Sequence, residues 1–463
     1  MPFLSPLPLV AIFLTWLAVR YTPARQARHA IVLLASGIFY YSVGGSFIVI
    51  LALSIVFNFY WGDLLRRTSS TPLLFTGIAV NIGLLSTFKY LPQLAQPWAN
   101  LSPTAAQIAA LVLPVGISFW TFQGLSYLFD QYRGEELDPT LLEFAIYIAF
   151  APTVLSGPIS RLSELLPQLR SSERAGWSDL ARGTQQMWVG IWMISLGRLL
   201  GSGVPAEGVT WAFDRSAGLG FFEVWLLLIG YGFQIFFDFA GYSRLVIGLA
   251  AGFAIQLQEN FDRPFLSLTP TTFWQRWHMS LSFWIRDYLF MPLAMVRGDL
   301  WWRNGVLVLS MAVFGLWHQA SWLFLLWGVY QGTLLVLHRF WQQFAKRRKL
   351  VVPDLLSWLL TYVVISLGWI LFRSQDLPQA RALLGAALNP WARATVSLPA
   401  SFVWLVLLTA AGYFSWCWLS ERLEGRSSLN WIPVEGRFSF YALTSYLVVF
   451  YRSSVESFIY FRF

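Results

Sequence analysis

Apolar residues dominate this chain from end to end, in blocks near 4–19, 30–43, 46–60, 73–91, 105–128, 141–158, 184–200, 221–240, 243–257, 273–296, 305–343, 354–373, 400–419 and 438–460. A helix needs about 20 consecutive apolar residues to cross the hydrocarbon core of a bilayer. The pattern therefore predicts an all-α polytopic integral membrane protein with about 10 to 12 full crossings. Blocks that are short, or rich in Gly and Pro, predict re-entrant or interfacial helices. Block 141–158 runs into LSGPIS, where Gly-Pro predicts a re-entrant or broken element, tolerable only if buried in protein. Block 305–343 is long enough for two helices, with a break expected near Gly315 or Gly328. No internal repeat, low-complexity tract or soluble appendage interrupts the pattern, so residues 1–463 read as a single membrane-embedded domain.

The polar positions between blocks set the orientation. Arg20, Arg25 and Arg28 follow the first block, Arg66 and Arg67 follow the third, and 92–104 carries no charge. Lys and Arg collect in the cytoplasm, which places the N-terminus and 92–104 outside. Loop 161–182 and the KRRK run at 346–349 read as cytoplasmic. The first block has no basic residue ahead of it and is expected to be a retained span rather than a removable signal.

Composition narrows the classes. Only 12% of residues are charged, against about 25% in soluble globular chains. The net charge of +9 has its simplest source in the topogenic excess of basic loop residues, with an acidic partner as the alternative. The basic residues are scattered, so nothing points to nucleic acid. The single cysteine, Cys417, excludes an internal disulfide framework and reads as a buried, inert thiol.

Polar groups are densest in FWQRWHMSLSFWIRDYLF, residues 273–290. As a continuous helix it would place Trp274, His278, Ser282 and Arg286 along one stripe, and Arg276, Ser280 and Asp287 along a neighbouring one. Ionisable residues at membrane depth usually face a cavity, a partner or a pathway. An interfacial amphipathic helix is the competing reading, and it explains Trp and Arg well but His278 poorly. In YGFQIFFDFAGYSRL, residues 231–245, Asp238 lies one turn from Gln234 and Tyr242. A buried pair with Arg244 or Arg263 is the default for such a carboxylate.

A second histidine sits in FGLWHQASWLFLLW, residues 314–327, where Phe314 and Trp322 would lie one turn either side of His318, with Ser321 nearby. His29 belongs to a basic loop, and His338 lies near a cytoplasmic helix end where snorkelling or helix termination accounts for it. His278 and His318 remain as intramembrane imidazoles, to be weighed as structural or catalytic. A neutral imidazole is the natural general base near physiological pH. Acyl transfer from a thioester needs such a base, a polarised carbonyl and two well-aimed substrates. Zinc fits poorly, because the two histidines stand apart with no HExxH or Cys pattern. No GxSxG elbow, P-loop or GxGxxG is present.

FWQRWHMSLSFWIRDYLFMPL and FGLWHQASWLFLLWGVYQG resemble the two signature blocks of the membrane-bound O-acyltransferase (MBOAT) family, in its bacterial alginate O-acetyltransferase and D-alanyl transferase branches. Further blocks agree in order: LPVGISFWTFQGLSYLFDQYRGE (113–135), SGPISR (156–161), YGFQIFFDFAGYS (231–243), ENFDRPFLSLTPTTFW (259–274) and FIYFRF (458–463). The resemblance implies helices around a narrow central tunnel in a multi-pass protein of the bacterial cytoplasmic (inner) membrane. It implies no tightly bound cofactor, but a thioester donor, acetyl-CoA or an acyl carrier protein, entering from the cytoplasm. The acceptor would be an extracytoplasmic glycan or cell-wall polymer, with a periplasmic partner acyltransferase as a family-style relay. The family's catalytic histidine maps to His318, and His278 is a second functional position. His278 and Ser282 would then orient donor or intermediate, while Trp274, Trp277, Trp317 and Trp322 shape the tunnel and exclude water.

The chain departs from the family pattern at several positions. LWHGAS becomes LWHQAS at Gln319, YHG becomes Tyr330-Gln331-Gly332, GYSD becomes GYSR at Arg244, and the usual Gly-Gly-x-Arg is missing from MPLAMVRGD. The expected function is O-acyl transfer, acetyl first and D-alanyl as the alternative. From another class, a transporter or flippase would use Asp238, Arg276 and Asp287 as a polar pathway and predicts inverted repeats, and an inactive scaffold would recruit a partner enzyme.

Overall fold

The computed structural model describes residues 6–171, 173–203 and 207–422; the apolar block 438–460 and FIYFRF lie outside the described residues. The described chain is built of helices, with one isolated antiparallel bridge between Phe261 and Trp277. Seven stretches among the described residues are long and apolar enough to cross a membrane: Arg25–Thr68, Thr71–Lys89, Phe221–Ala251, Leu300–His318, Trp322–Arg348, Asp354–Arg373 and Ala400–Arg422. The first of these folds as two helices, Arg25–Gly44 and Ile48–Thr68. Gly45, at φ +56°, turns the chain between them, a left-handed geometry that glycine adopts without steric cost.

The chain divides into two compact units, the first comprising residues up to Met187 with Val246–Glu259 and Phe283–Leu289. Its centre is the helix Ile117–Tyr132, buried over nearly every residue and packed against Ile48–Thr68 and Thr71–Lys89. Asn58 and Asn81, both buried, exchange amide hydrogen bonds of 3.2 and 2.9 Å between the latter two helices. The broken element expected after residue 141 is present. Helix Leu141–Ala149 opens with a Thr140–Glu143 capping box, is followed by the short turn Ala151–Val154, and then runs non-helically through a buried Ser156–Ser160 to the helix Leu162–Arg170. Arg170 grips Glu143 with two hydrogen bonds of 3.0 and 2.9 Å. His29 is not in a loop: it is buried in the helix Arg25–Gly44, its Nε2 2.9 Å from the Leu169 carbonyl.

The second unit comprises Trp188–Leu245, Asn260–Ser282 and the described residues from Phe290 onward. It contains a tight hairpin of Leu300–His318 and Trp322–Arg348. The expected break at Gly315 or Gly328 falls instead at 319–321, where Gln319 is extended and the Ser321 hydroxyl caps the next helix by accepting from the Phe324 amide at 3.4 Å. The glycines serve close approach: a Cβ on Gly315 would stand 2.1 Å from the Phe324 carbonyl oxygen, and one on Gly328 2.2 Å from that of Met311. Asp354–Arg373 packs against Trp322–Arg348, and Leu377–Leu388 packs against Asp354–Arg373.

The segment expected to be one continuous helix over 273–290 is broken. Helix Pro270–Arg276 ends, Trp277 is extended, His278 takes a left-handed φ of +44°, and a new helix spans Met279–Trp284, followed by a π-helical turn, Ile285–Phe290. Non-helical backbone in a buried setting must find its hydrogen bonds within the protein. The segment around Asn260 supplies them. The Asp262 amide donates to the Arg276 carbonyl at 3.0 Å, and the Met279 amide to the Asn260 carbonyl at 2.9 Å. The Asn260 side chain, 0% exposed, accepts from the Ser280 hydroxyl at 2.6 Å and donates to Ser243 at 3.0 Å. Ser282 donates to the Trp277 carbonyl at 3.0 Å, so its hydroxyl closes the break.

Two outcomes follow for the protein in detergent. Gly315→Ala and Gly328→Ala should each lower the thermal midpoint, since overpacking costs about 1–3 kcal/mol. Gly305→Ala, whose Cβ would meet open space, should leave it unchanged or raise it; equal midpoints for all three would contradict the close approach. Each buried hydrogen bond contributes about 1 kcal/mol net, so Asn260→Ala should cost clearly more than Ser282→Ala, and an equal or smaller cost would show that Asn260 does not hold the break.

Candidate active site around His318

His318 ends the helix Leu300–His318 and is 2% exposed. Among the described residues, five aromatic rings stand around its imidazole: Phe314 at 4.9 Å, Trp317 at 4.7 Å, Phe324 at 5.8 Å, Trp327 at 5.6 Å and Phe372 at 5.1 Å between centroids. They come from three helices that the glycine-lined hairpin and its neighbour Asp354–Arg373 bring together. Trp274 adds an outer wall, 5.5 Å from Phe314 and 5.9 Å from Trp327. Its indole N–H donates to Gln331 Oε1 at 3.4 Å. Gln331, at the position where the resemblance leads one to expect histidine, is 1% exposed and thus belongs to the support of this wall.

His278 is 0% exposed, with the Phe239 ring edge-on at 4.6 Å. Phe239 and Ser243 stand one turn apart on Phe221–Ala251, so one helix face meets both the imidazole and the Asn260 amide. Trp277 lies 5.3 Å from Trp369, and Trp369 lies 6.1 Å from Phe372, a row of rings leading to His318. Asp238 and Tyr242 are buried on the same helix, 6% and 0% exposed. Arg263 forms ion pairs with Asp262 and Glu421.

The continuous stripe Trp274–His278–Ser282–Arg286 does not exist, because the break at 277–278 resets the helical phase. Arg276 is half-buried and contributes its carbonyl to Asp262. Arg286 and Asp287 belong to the first unit. There Asp287 pairs with Arg161 and with Arg286, and its carbonyl accepts from Arg133 at 2.8 Å. Tyr288 beside it donates to Asp130 at 2.9 Å. Trp322, expected to flank His318, is 74% exposed, because the turn at 319–321 places it at the start of the next helix. Gln319 is exposed at that turn. Among the described residues, no three His, Cys, Asp or Glu side chains gather as a metal-holding group.

Sequence reasoning missed Phe324, Trp327 and Phe372, which appear as ordinary apolar residues in apolar blocks. Only the fold shows that Trp327 and Gln331, one turn apart on Trp322–Arg348, face the histidine side. It likewise missed Asn260, although the residue sits in a quoted block. Chemically, the site offers one imidazole in a water-poor aromatic enclosure, an arrangement suited to moving a single proton without competing hydrolysis.

The membrane-bound O-acyltransferase family profile matches residues 66–374, which include both histidines. The peptidoglycan O-acetyltransferase of Helicobacter pylori is 29% identical over 384 residues, covering 76% of this chain and 72% of that protein. The "Probable alginate O-acetylase AlgI" of Azotobacter vinelandii is 32% identical over 383 residues, covering 80% and 74%. The teichoic acid D-alanyltransferase of Streptococcus thermophilus is 29% identical over 265 residues, covering 55% and 63%. With its apolar helices and these relatives, the chain is a multi-pass protein of the bacterial inner membrane and an acyltransferase. On the extent of the family match and the length of these alignments, the chain belongs to the membrane-bound O-acyltransferase family.

Proposed function

We propose that this enzyme transfers an acetyl group from a cytoplasmic thioester, acetyl-CoA or an acylated carrier protein, to hydroxyls of an extracytoplasmic glycan or cell-wall polymer, directly or through a periplasmic partner. The observation that carries the reading is the burial of His318 inside five aromatic rings, within the region that matches the family. Acetyl is preferred over D-alanyl because the acetyl-transferring relatives align with 76% and 80% of the chain, against 55% and 66% for two D-alanyl transferases.

In this reading the acceptor hydroxyl oxygen attacks the thioester carbonyl carbon. His318 takes the hydroxyl proton as the new C–O bond forms, then returns it to the departing sulfur as the C–S bond breaks. The products are the ester and the free thiol. The rings keep water from intercepting the acyl group. His278 orients donor or intermediate from its left-handed position, a conformation that costs roughly 1–2 kcal/mol in a non-glycine residue and that clusters at functional sites.

The test uses cells whose only copy of the gene is a variant, with base-labile acetate in envelope glycan as the readout. His318→Ala, at normal protein level, should lower O-acetylation by at least about 100-fold, the scale of a lost general base. Full acetylation in that strain would sink the assignment.

A further inference from the structure

Three indoles, Trp274, Trp317 and Trp327, stand at the His318 enclosure, and the N–H groups of Trp274 and Trp327 are treated differently. Trp274 donates to Gln331. Trp327 is 2% exposed, and its Nε1 is buried with no hydrogen-bond partner among the described residues. A buried donor left in that state costs about 1–3 kcal/mol, and buried tryptophans normally find an acceptor. Phenylalanine at this position would avoid the cost. The Trp327 ring meets the His318 ring at 5.6 Å and 82°, so the donor-bearing ring packs directly against the imidazole. Its place is fixed from behind: the next residue, Gly328, brings the helix backbone against the Met311 carbonyl, and Phe314 and Phe372 hold the ring at 5.5 and 5.1 Å.

We propose that the Trp327 N–H receives the carbonyl oxygen of the acyl group during transfer. The inference rests on the reading of His318 as the base of an acyl transfer. As the acceptor oxygen bonds to the carbonyl carbon, the carbonyl π pair moves onto oxygen and the indole N–H donates to that oxyanion. When the tetrahedral adduct collapses, the pair returns, the C–S bond breaks, and the thiolate takes the proton held by His318. Trp327 gains and loses nothing. A fixed donor aimed at developing charge in a water-poor site is an effective form of transition-state stabilisation. The tryptophan supplies it without adding a titratable group.

The experiment replaces Trp327 with 3-benzothienylalanine, which keeps the bicyclic shape and puts sulfur where the N–H was, beside Trp327→Phe and His318→Ala. Cells carrying each variant as their only copy are pulsed with labelled acetate. The initial rate of base-labile acetate entering envelope glycan is measured at matched protein level, with thermal midpoints in detergent as a fold check. Loss of one oxyanion donor lowers rates by about 100-fold or more, so the benzothienyl protein should fall by that factor with an unchanged midpoint. A rate within twofold of wild type in the benzothienyl strain, with His318→Ala inactive, overturns the role of Trp327 alone. Full acetylation in His318→Ala, or none in wild type, overturns the underlying reading and this inference with it. A slow Trp327→Phe beside a fast benzothienyl protein assigns the ring to packing and also overturns the proposal.

Discussion

Backbone that leaves the helical path where water cannot reach must have its amides and carbonyls answered by other parts of the chain. The rest of this site depends on how that demand is met at Trp277–His278. Asn260 and Asp262 supply the missing partners, and Ser280, Ser282 and Ser243 complete them. The break thereby becomes a fixed feature. It sets His278 against Phe239, and it points Trp277 into the ring row that ends at Phe372 and His318.

The second histidine is placed by a different device. Two helices approach so closely at Gly315 and Gly328 that backbone touches backbone, and large side chains are displaced to the hairpin's end. There they enclose His318. An imidazole buried among rings is shielded from bulk water, which suits a transfer that hydrolysis would otherwise short-circuit. Gln331 engages the Trp274 indole N–H in this wall, and the Trp327 indole N–H is buried with no hydrogen-bond partner among the described residues.

Much of this was legible in the sequence. The apolar blocks announced helices, LSGPIS announced a broken element, and His278 and His318 stood out as imidazoles that the membrane did not require. What failed was phase. The stripe through Trp274, His278, Ser282 and Arg286 assumed an unbroken helix, and neither Gly nor Pro marks the break at 277–278. The stop comes from Asn260, a tertiary partner that spacing cannot reveal. The same error put Trp322 beside His318, when the Ser321 cap starts a new helix and leaves the ring exposed. Conversely, Trp327 and Phe372 were hidden because an apolar residue in an apolar block carries no mark of which neighbour it meets.

The central claim is that acyl transfer takes place at His318. The most direct measurement is an experimental structure of the full chain in lipid with a non-transferable acetyl thioester analogue bound. The account predicts acyl-group density inside the ring enclosure, with its carbonyl carbon beside the His318 imidazole. Density for the acyl group at another site, with the enclosure closed around His318, would contradict it.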